Sequence, residues 1–421
     1  MKKILLQLQA WLNRRSEFLA FICPNSLYLY LRISAMAAYL THALIHHLIV
    51  FQLILLLVVL SNIWLTHRIR RHSPPDQFPR VSILIPARNE EKCIACCVQS
   101  LLAQDYPSFE VVVLDDQSSD GTRAILEKIV LSEPALRILP GEPPAGDQVG
   151  KNWACTQLAR EAQGELLFFT DADTVARPDM LKTVVTALLG EQVDFLTGFP
   201  RQAVHTWGER ALVPFFSWAF LTFVPLALAY KVKLPSLSIA VGQMMLFRRD
   251  AYLEIGGHEG IISSVMDDIN LAQQIKRNGL RWRVSFVADL ISCRMYHSSR
   301  EAIDGLTRIM FAAFSYRLLP FLFAYIWLFV MFWEPIVVMG LMLSGGAPQA
   351  QPMALLYCVA LSILLWLIPY IEMKTPFYLS FLYPFTVLAN IAVAFRSLFH
   401  TLRGRITWKG RPLGNNRWKW F

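Results

Sequence analysis

Two hydrophobic patterns alternate along the chain. From His47 to Leu65 it reads HLIVFQLILLLVVLSNIWL, an apolar run without formal charge, long enough to cross a hydrocarbon core of about 30 Å. The same pattern returns beyond Leu318 in three segments, about 320–343, 353–372 and 377–399, the first interrupted by Glu334 and Pro335. Between these regions, from residue 81 to about 290, short β-rich runs alternate with helical periodicity. VSILIP, FEVVVLDD, LRILP, GELLFFTDAD and VDFLTG predict five strands. EEKCIACCVQSLLAQ, DGTRAILEKIVLS, KNWACTQLAREAQ and RPDMLKTVVTALLG predict helices between them, with Gly, Pro or Asp at their ends. Such alternation implies an α/β fold with a mostly parallel, doubly wound sheet, in which ligands bind beyond the carboxyl ends of strands.

The runs divide the chain into a membrane anchor over 1–80 with a transmembrane helix at about 47–65, a cytosolic domain over 81–310, C-terminal membrane helices over 311–400 and a basic cytosolic tail over 401–421. A cleaved signal peptide fits poorly, because the first run starts far from the N-terminus and no small-residue cleavage site follows it. The basic stretch THRIRRHSPPDQFPR instead places the next segment on the cytoplasmic side. Glu334 and Pro335 imply a kinked helix or a re-entrant segment. Three full C-terminal crossings would put the basic tail outside, so one of the three is expected to lie in the interface.

Residues 211–230, ALVPFFSWAFLTFVPLALAY, have the length of a span. A crossing there would separate TDADT from VMDDIN by a bilayer, although both look like parts of one α/β domain. Two prolines and a serine suit an element lying on the membrane surface, where a lipid-borne acceptor reaches the site without leaving the bilayer.

Composition agrees with a membrane protein: 55% of the 421 residues are hydrophobic and only 17% charged. The formal charge of +9 gathers beside apolar segments and in the tail, which points to anionic lipid headgroups and not to nucleic acid. Seven cysteines at irregular spacing describe no disulfide framework and suit a reducing compartment. Cys93 and Cys96 form a lone CxxC without a second pair at zinc spacing, and read as packed helix residues.

The polar clusters fall at the ends of predicted strands: PARNEE after the first, DDQSSDGT after the second, TDADT after the fourth. Asp171 and Asp173, at i and i+2, are oxygen donors directed into a crevice. Mg²⁺ is held by one or two carboxylates plus substrate phosphates, so this pair implies a diphosphate ligand, the alternative being a cap for the helix near Pro178. Asp115 and Asp116 precede SSDGT, whose free backbone N–H groups at a helix start suit a nucleotide, against plain capping and turn chemistry. Lys151 stands at a helix start, where the macrodipole disfavours a cation, and so implies an anionic ligand. Asp267 and Asp268 open another helix, where acids also serve as plain stabilisers. Transfer from a diphosphate leaving group needs a metal for the departing charge and a carboxylate for the acceptor's proton.

VSILIPARNEE, VVVLDDQSSDGT, LLFFTDADT and MDDINLAQQIKRNG, in this order over roughly residues 80–310, resemble the family 2 glycosyltransferases. With its hydrophobic ends and ITWKGRP near the terminus, the chain is similar to the membrane-bound, lipid-directed members: ceramide glucosyltransferase-like, hopanoid-associated and carotenoid glycosyltransferases. The resemblance implies a GT-A (Rossmann-like) catalytic domain, a UDP-hexose or other nucleotide-sugar donor, a lipid acceptor, Mg²⁺ or Mn²⁺, and a place in the bacterial inner membrane. It implies that Ala87, Glu90, Asp115 and Asp116 contact base and ribose, that Lys151 approaches the nucleotide, that Asp171 and Asp173 hold the metal, Asp173 the more directly, and that Asp268 is the general base with Asp267 beside it. Relatives then carry QxxRW; here GLTRIM keeps Arg308 but neither the Gln nor the Trp, which favours transfer of a single sugar over processive polymer synthesis. Arg308 would neutralise the diphosphate or meet headgroups, and His297 would line the site. Lys409 and Arg411 in WKGRP match the family without a derivable role. A processive polysaccharide synthase, a polyprenyl-phosphate sugar transferase, a transporter and an inactive nucleotide-binding membrane protein are the competing readings.

Overall fold

The computed structural model describes residues 24–68, 72–146, 148–344, 351–408, 411–412 and 418–421, with side chains from Ile45 onward. Lys409 lies outside the described residues, and the Arg411 side chain is likewise not described.

Helix α1 runs over Pro24–Arg68. The chain then alternates through β1 (Val81–Ala87), α2 (Ile94–Leu102), β2 (Phe109–Asp115), α3 (Thr122–Val130), β3 (Leu136–Pro140), α4 (Gly150–Glu161), β4 (Leu166–Phe169), β5 (Thr174–Ala176), α5 (Met180–Gly190) and β6 (Phe195–Phe199). All five strands expected from the sequence form. In β1 every residue but Pro86 is buried, as required of a strand covered on both faces, which is why the run is continuous and not alternating. Ile83, Ile85, Val111, Val113 and Phe168 meet Val98, Leu101 and Val184 in the core.

Beyond β6 come β7 (Arg201–Gln202), α6 (Trp207–Leu212), α7 (Pro214–Phe223), α8 (Leu226–Ala229), β8 (Met245–Arg248), α9 (Arg249–Glu254), α10 (Asp267–Arg277), β9 (Trp282–Phe286), β10 (Ile291–Cys293) and α11 (Ser299–Ile309). Strand order in the main sheet is β3-β2-β1-β4-β8-β6-β9. β1 pairs in parallel with both β2 and β4, so the order reverses around it. β8 pairs antiparallel with β4 and β6. Its four residues follow a polar loop, too short a run to announce a strand. Register brings Ala87 level with Asp115 and Leu84 level with Phe169, so the polar segments after β1, β2 and β4 emerge at one edge of the sheet. A second sheet, β5-β10-β7, closes over that edge.

Among the described residues, four helices are long and apolar enough to cross a membrane: Ile45–His67, Leu318–Leu343, Pro352–Glu372 and Phe377–Leu402. The last three contain α12 (Leu318–Leu343), α13 (Pro352–Glu372) and α14 (Tyr383–Leu402). Glu334 and Pro335 lie within one continuous helix. Residues 211–230 form no such helix: they break into α6, α7 and α8 at Val213 and Val224.

The chain divides into two compact units. One comprises the described residues up to Ile54 with Val330–Ser362, and the other Leu55–Phe329 with Ile363–Phe421. Inside the first, the buried Gln52 amide donates to Ser362 Oγ at 2.9 Å. The second holds the α/β domain.

Candidate active site

A cavity of about 640 Å³ opens at the edge where β1, β2 and β4 end. Ala87, Glu90, Asp116, Lys151, Asp171, Asp173, Asp267, Asp268, Arg308 and His297 all line it; of the predicted site residues only Asp115 does not. Asp115 turns back to accept the Ser118 N–H at 3.1 Å.

That detail corrects one expectation. The N–H groups of SSDGT are not free for a nucleotide. Asn89 Oδ1 accepts from Ser119 N at 2.8 Å, Glu91 Oε2 from Gly121 N at 2.9 Å and Asp120 Oδ1 from Thr122 N at 3.0 Å. The capping reading holds there, because the loop after β1 lies directly across the helix start. Asp116 still reaches the cavity, held by its N–H to Ala87 O at 2.7 Å, with Arg88 donating to its carbonyl at 2.6 Å.

The Asp171–Asp173 turn is fixed from beneath. Thr174 Oγ1 donates to Asp171 O at 2.8 Å, and Thr170 Oγ1 donates to Gln243 O at 2.9 Å. From β10, Cys293 Sγ meets Asp173 Oδ1 at 3.3 Å. Burial first, then Asp171 and Glu90, push the Asp173 carboxyl up to about 7. Burial first, then Asp173 and Asp171, push the Cys293 thiol well up, so it stays protonated and able to donate.

Lys151 faces protein carboxylates: Nζ lies 2.8 Å from Asp171 Oδ1 and 3.3 Å from Asp267 Oδ2. Burial alone would lower its pKa; Asp171 and Asp267 outweigh burial and hold the ammonium well above its ordinary value. The unfavourable helix-start position is thereby offset. Asn152 explains how distant segments meet. Its amide donates to the carbonyls of Ile261, Ile262 and Ser264 at 3.0, 3.2 and 2.8 Å, which sets the loop before α10 against the start of α4.

In the first turn of α10, Asp268 holds two backbone N–H groups and faces the cavity at once. Oδ1 accepts the Ile269 N–H at 2.7 Å and Oδ2 accepts the Gly242 N–H at 3.1 Å. Each oxygen keeps a lone pair, so the carboxylate retains capacity to take a proton. Burial, then Asp267, push its pKa up to about 7. Burial would also raise Asp267, but Lys151 and His258 pull it below the ordinary carboxylate value. Two adjacent acids are thus driven apart, the pattern that separates a proton acceptor from a permanent charge.

Three residues escaped the sequence reading. Arg294 and Tyr296, leaving β10, line the cavity beside Arg308, and Gly242 lies between Lys151 and both acid pairs. Tyr296 packs where a Cβ on Gly305 would stand 2.2 Å from its ring, so α11 needs glycine there. The only local signal was the polar run after a short strand. The lining also has an apolar contribution: Val213, Phe216 and Phe220 come from α7 and its approach.

Residues 82–256 match the family model described as glycosyl transferase family 2. The chain is similar to a beta-monoglucosyldiacylglycerol synthase of Synechocystis sp., 36% identical over 149 residues, 33% of this chain and 31% of that protein. It is also similar to a 4,4'-diaponeurosporenoate glycosyltransferase of Staphylococcus haemolyticus, 24% identical over 231 residues, 54% of this chain and 60% of that protein. The match thus spans about a third of the first relative's length. Among solved structures, a mannosyltransferase of Pyrobaculum calidifontis in complex with GDP-Man and Mn²⁺ aligns with a TM-score of 0.45 at 21% identity, covering 86% of this chain and 99% of that one.

Proposed function

We propose that this chain, whose residues 82–256 match the glycosyl transferase family 2 model, belongs to that family and transfers a single sugar from a nucleotide-sugar, a UDP-hexose, to a hydroxyl of a lipid acceptor with inversion. The observation that carries the reading is one cavity lined both by Asp116, Lys151, Asp171, Asp173 and Asp268 and by the aromatic side chains of Phe216 and Phe220. A nucleoside diphosphate suits the charged residues and a lipid alcohol the aromatic ones. The similarity to a synthase of glucosyldiacylglycerol and to a carotenoid-acid glycosyltransferase supports a lipid acceptor. The four apolar helices support a membrane protein, in our reading one of the bacterial inner membrane with this cavity on the cytoplasmic side.

Asp171 and Asp173 fit a hard divalent cation, Mg²⁺ or Mn²⁺. They are oxygen donors, and Lys151 compensates Asp171 while Asp173 is left with burial, Asp171 and Glu90 raising its pKa. Among the described residues no cluster of three or more ligating side chains is preassembled, which suits a cation whose other ligands are diphosphate oxygens and water. Such a cation supplies neutralisation of the departing diphosphate charge.

The chain's own groups do the rest. Asp268 accepts the proton of the acceptor hydroxyl as its oxygen bonds to the anomeric carbon from the face opposite the leaving diphosphate. Gly242 N–H holds the carboxylate in place. Asp267, kept ionised by Lys151, raises the basicity of its neighbour. Arg308 and Arg294, which line the cavity, would partner the diphosphate charge.

The test is direct. Protein in detergent is given UDP-hexoses with diacylglycerol, sterol, sphingoid or carotenoid alcohols, and lipid products are read by mass spectrometry. One added hexose per lipid is expected; a ladder of polymer, or no lipid product from any pair, overturns the reading.

A further inference from the structure

Helix α7 has two faces with different partners. On one, Val213 at its approach, Phe216, Ser217 and Phe220 follow helical spacing and border the catalytic cavity. On the other, Trp218 and Leu221 are fully buried. The Trp218 indole donates to Leu365 O at 2.9 Å and stacks on Trp366 at 3.8 Å. At the end of α7 the buried Asn62 clamps the bend, donating to Leu221 O and Val224 O at 2.8 Å each and accepting from Leu226 N at 2.9 Å.

These clamps fix the depth of α7. Asn62 lies five residues before the end of the apolar helix Ile45–His67, and Leu365 seven before the end of Pro352–Glu372. At 1.5 Å per residue, that is roughly 8–10 Å inside the end of each, the level at which an interfacial helix buries its apolar face. Beyond the bend, Phe223, Leu228 and Leu234 are exposed, with relative accessibilities of 36%, 48% and 50%. Along α7, the cavity-lining Phe216 and Phe220 are followed within one turn by the bend, and then by these exposed apolar side chains.

Resting on the function proposed above, we propose that Phe216 and Phe220 form the acceptor subsite: they hold the apolar chain of a lipid alcohol arriving from the bilayer, so that its hydroxyl alone advances to Asp268. The subsite selects acceptors by the length of apolar chain next to the hydroxyl, while the donor falls to the charged residues Asp116, Lys151, Asp171 and Asp173. Phe216 and Phe220 are thus binding residues for the acceptor with no part in the chemistry.

The experiment compares wild type, the pair Phe216→Ala with Phe220→Ala, and the pair Phe216→Leu with Phe220→Leu, with Leu131→Ala as an exposed control. UDP affinity, donor hydrolysis without acceptor, and KM for a long-chain and a short-chain soluble alcohol are measured in detergent. At least a tenfold rise in the ratio of KM for the long-chain alcohol to KM for the short-chain alcohol is expected in the alanine pair, with the leucine pair in between. Unchanged preference between long and short chains in either pair overturns the subsite. If the alanine pair loses UDP binding, the leucine pair decides by the same ratio. Lipid glycoside formed by wild type with variants indifferent to chain length overturns this inference alone; no lipid glycoside from wild type overturns the function as well.

Discussion

Asp171 and Asp267 share one cation: Lys151 Nζ stands 2.8 Å from the first and 3.3 Å from the second. The two acids leave different elements, the turn after β4 and the start of α10, so the lysine sets the spacing between the donor end of the cavity and the carboxylate beside the proposed base. Removing it leaves two carboxylates without their shared partner, a costly change in a buried site. Lys151→Met is expected to lower kcat/KM on the order of a hundredfold while Lys151→Arg keeps part of it, measured with saturating lipid and varied UDP-hexose. Near-normal rates in Lys151→Met would show that the lysine serves the fold only.

Asp268 carries the proton transfer. Asp268→Asn can keep one of the two backbone N–H contacts but accepts no proton, so kcat is expected to fall by about 10²–10⁴-fold with UDP affinity unchanged. Because the folded carboxyl is pushed up to about 7 and acts ionised, wild-type kcat/KM should rise with pH through about 7 and level off above it. A flat profile between pH 5.5 and 8.5 would count against this assignment.

The cation prediction is read by binding. UDP affinity measured calorimetrically is expected to fall at least tenfold in chelator, to return with Mn²⁺ or Mg²⁺, and to become insensitive to either in Asp173→Asn. Equal UDP affinity with and without metal refutes the site.

Gly242 sits where the charged groups cross. A Cβ there would stand 3.3 Å from Lys151 Nζ, 3.8 Å from Asp268 Oδ2 and 3.9 Å from Asp171 Oδ2. Gly242→Ala is therefore expected to displace the ammonium and cut turnover about tenfold, with the thermal midpoint within a few degrees of wild type, since the added methyl meets a flexible side-chain end and no backbone. A loss of activity accompanied by a large drop in midpoint would assign the glycine to folding.

His258 is fully buried, with Nδ1 2.8 Å from the Tyr252 hydroxyl. That hydroxyl also accepts the His258 backbone N–H at 3.0 Å, so it donates its own proton to Nδ1. Burial first lowers the imidazole from 6.5 to about 4. Its folded value lies below its unfolded one, so the neutral ring's contribution is fully present above about 6.5 and is lost as pH falls towards 4, in total about 3 kcal/mol. In detergent, the thermal midpoint of His258→Gln is expected to fall less between pH 7 and 4.5 than that of wild type; parallel curves refute the assignment.

Local physics made most of the architecture readable in advance. The continuous apolar strands, their helical spacers and the spans follow from periods of two and 3.6 residues and from the length of a bilayer, none of which needs tertiary context. The acids of TDADT and MDDIN were also legible, since paired carboxylates at element ends have few bland uses together. The SSDGT donors were misread because Glu91, which occupies Gly121 N–H, comes from a different strand end.

The sequence alone determined the elements, the apolar helices and which carboxylates were candidates for chemistry, because each depends on neighbours within a few residues. Only the tertiary structure decided that Lys151 would face Asp171 and Asp267, that Arg294 and Tyr296 would join the cavity, and that α7 would turn Phe216 and Phe220 toward it. Those meetings depend on strand register, on the three carbonyls gathered by Asn152 and on the Asn62 and Trp218 clamps, which act between segments far apart in the chain.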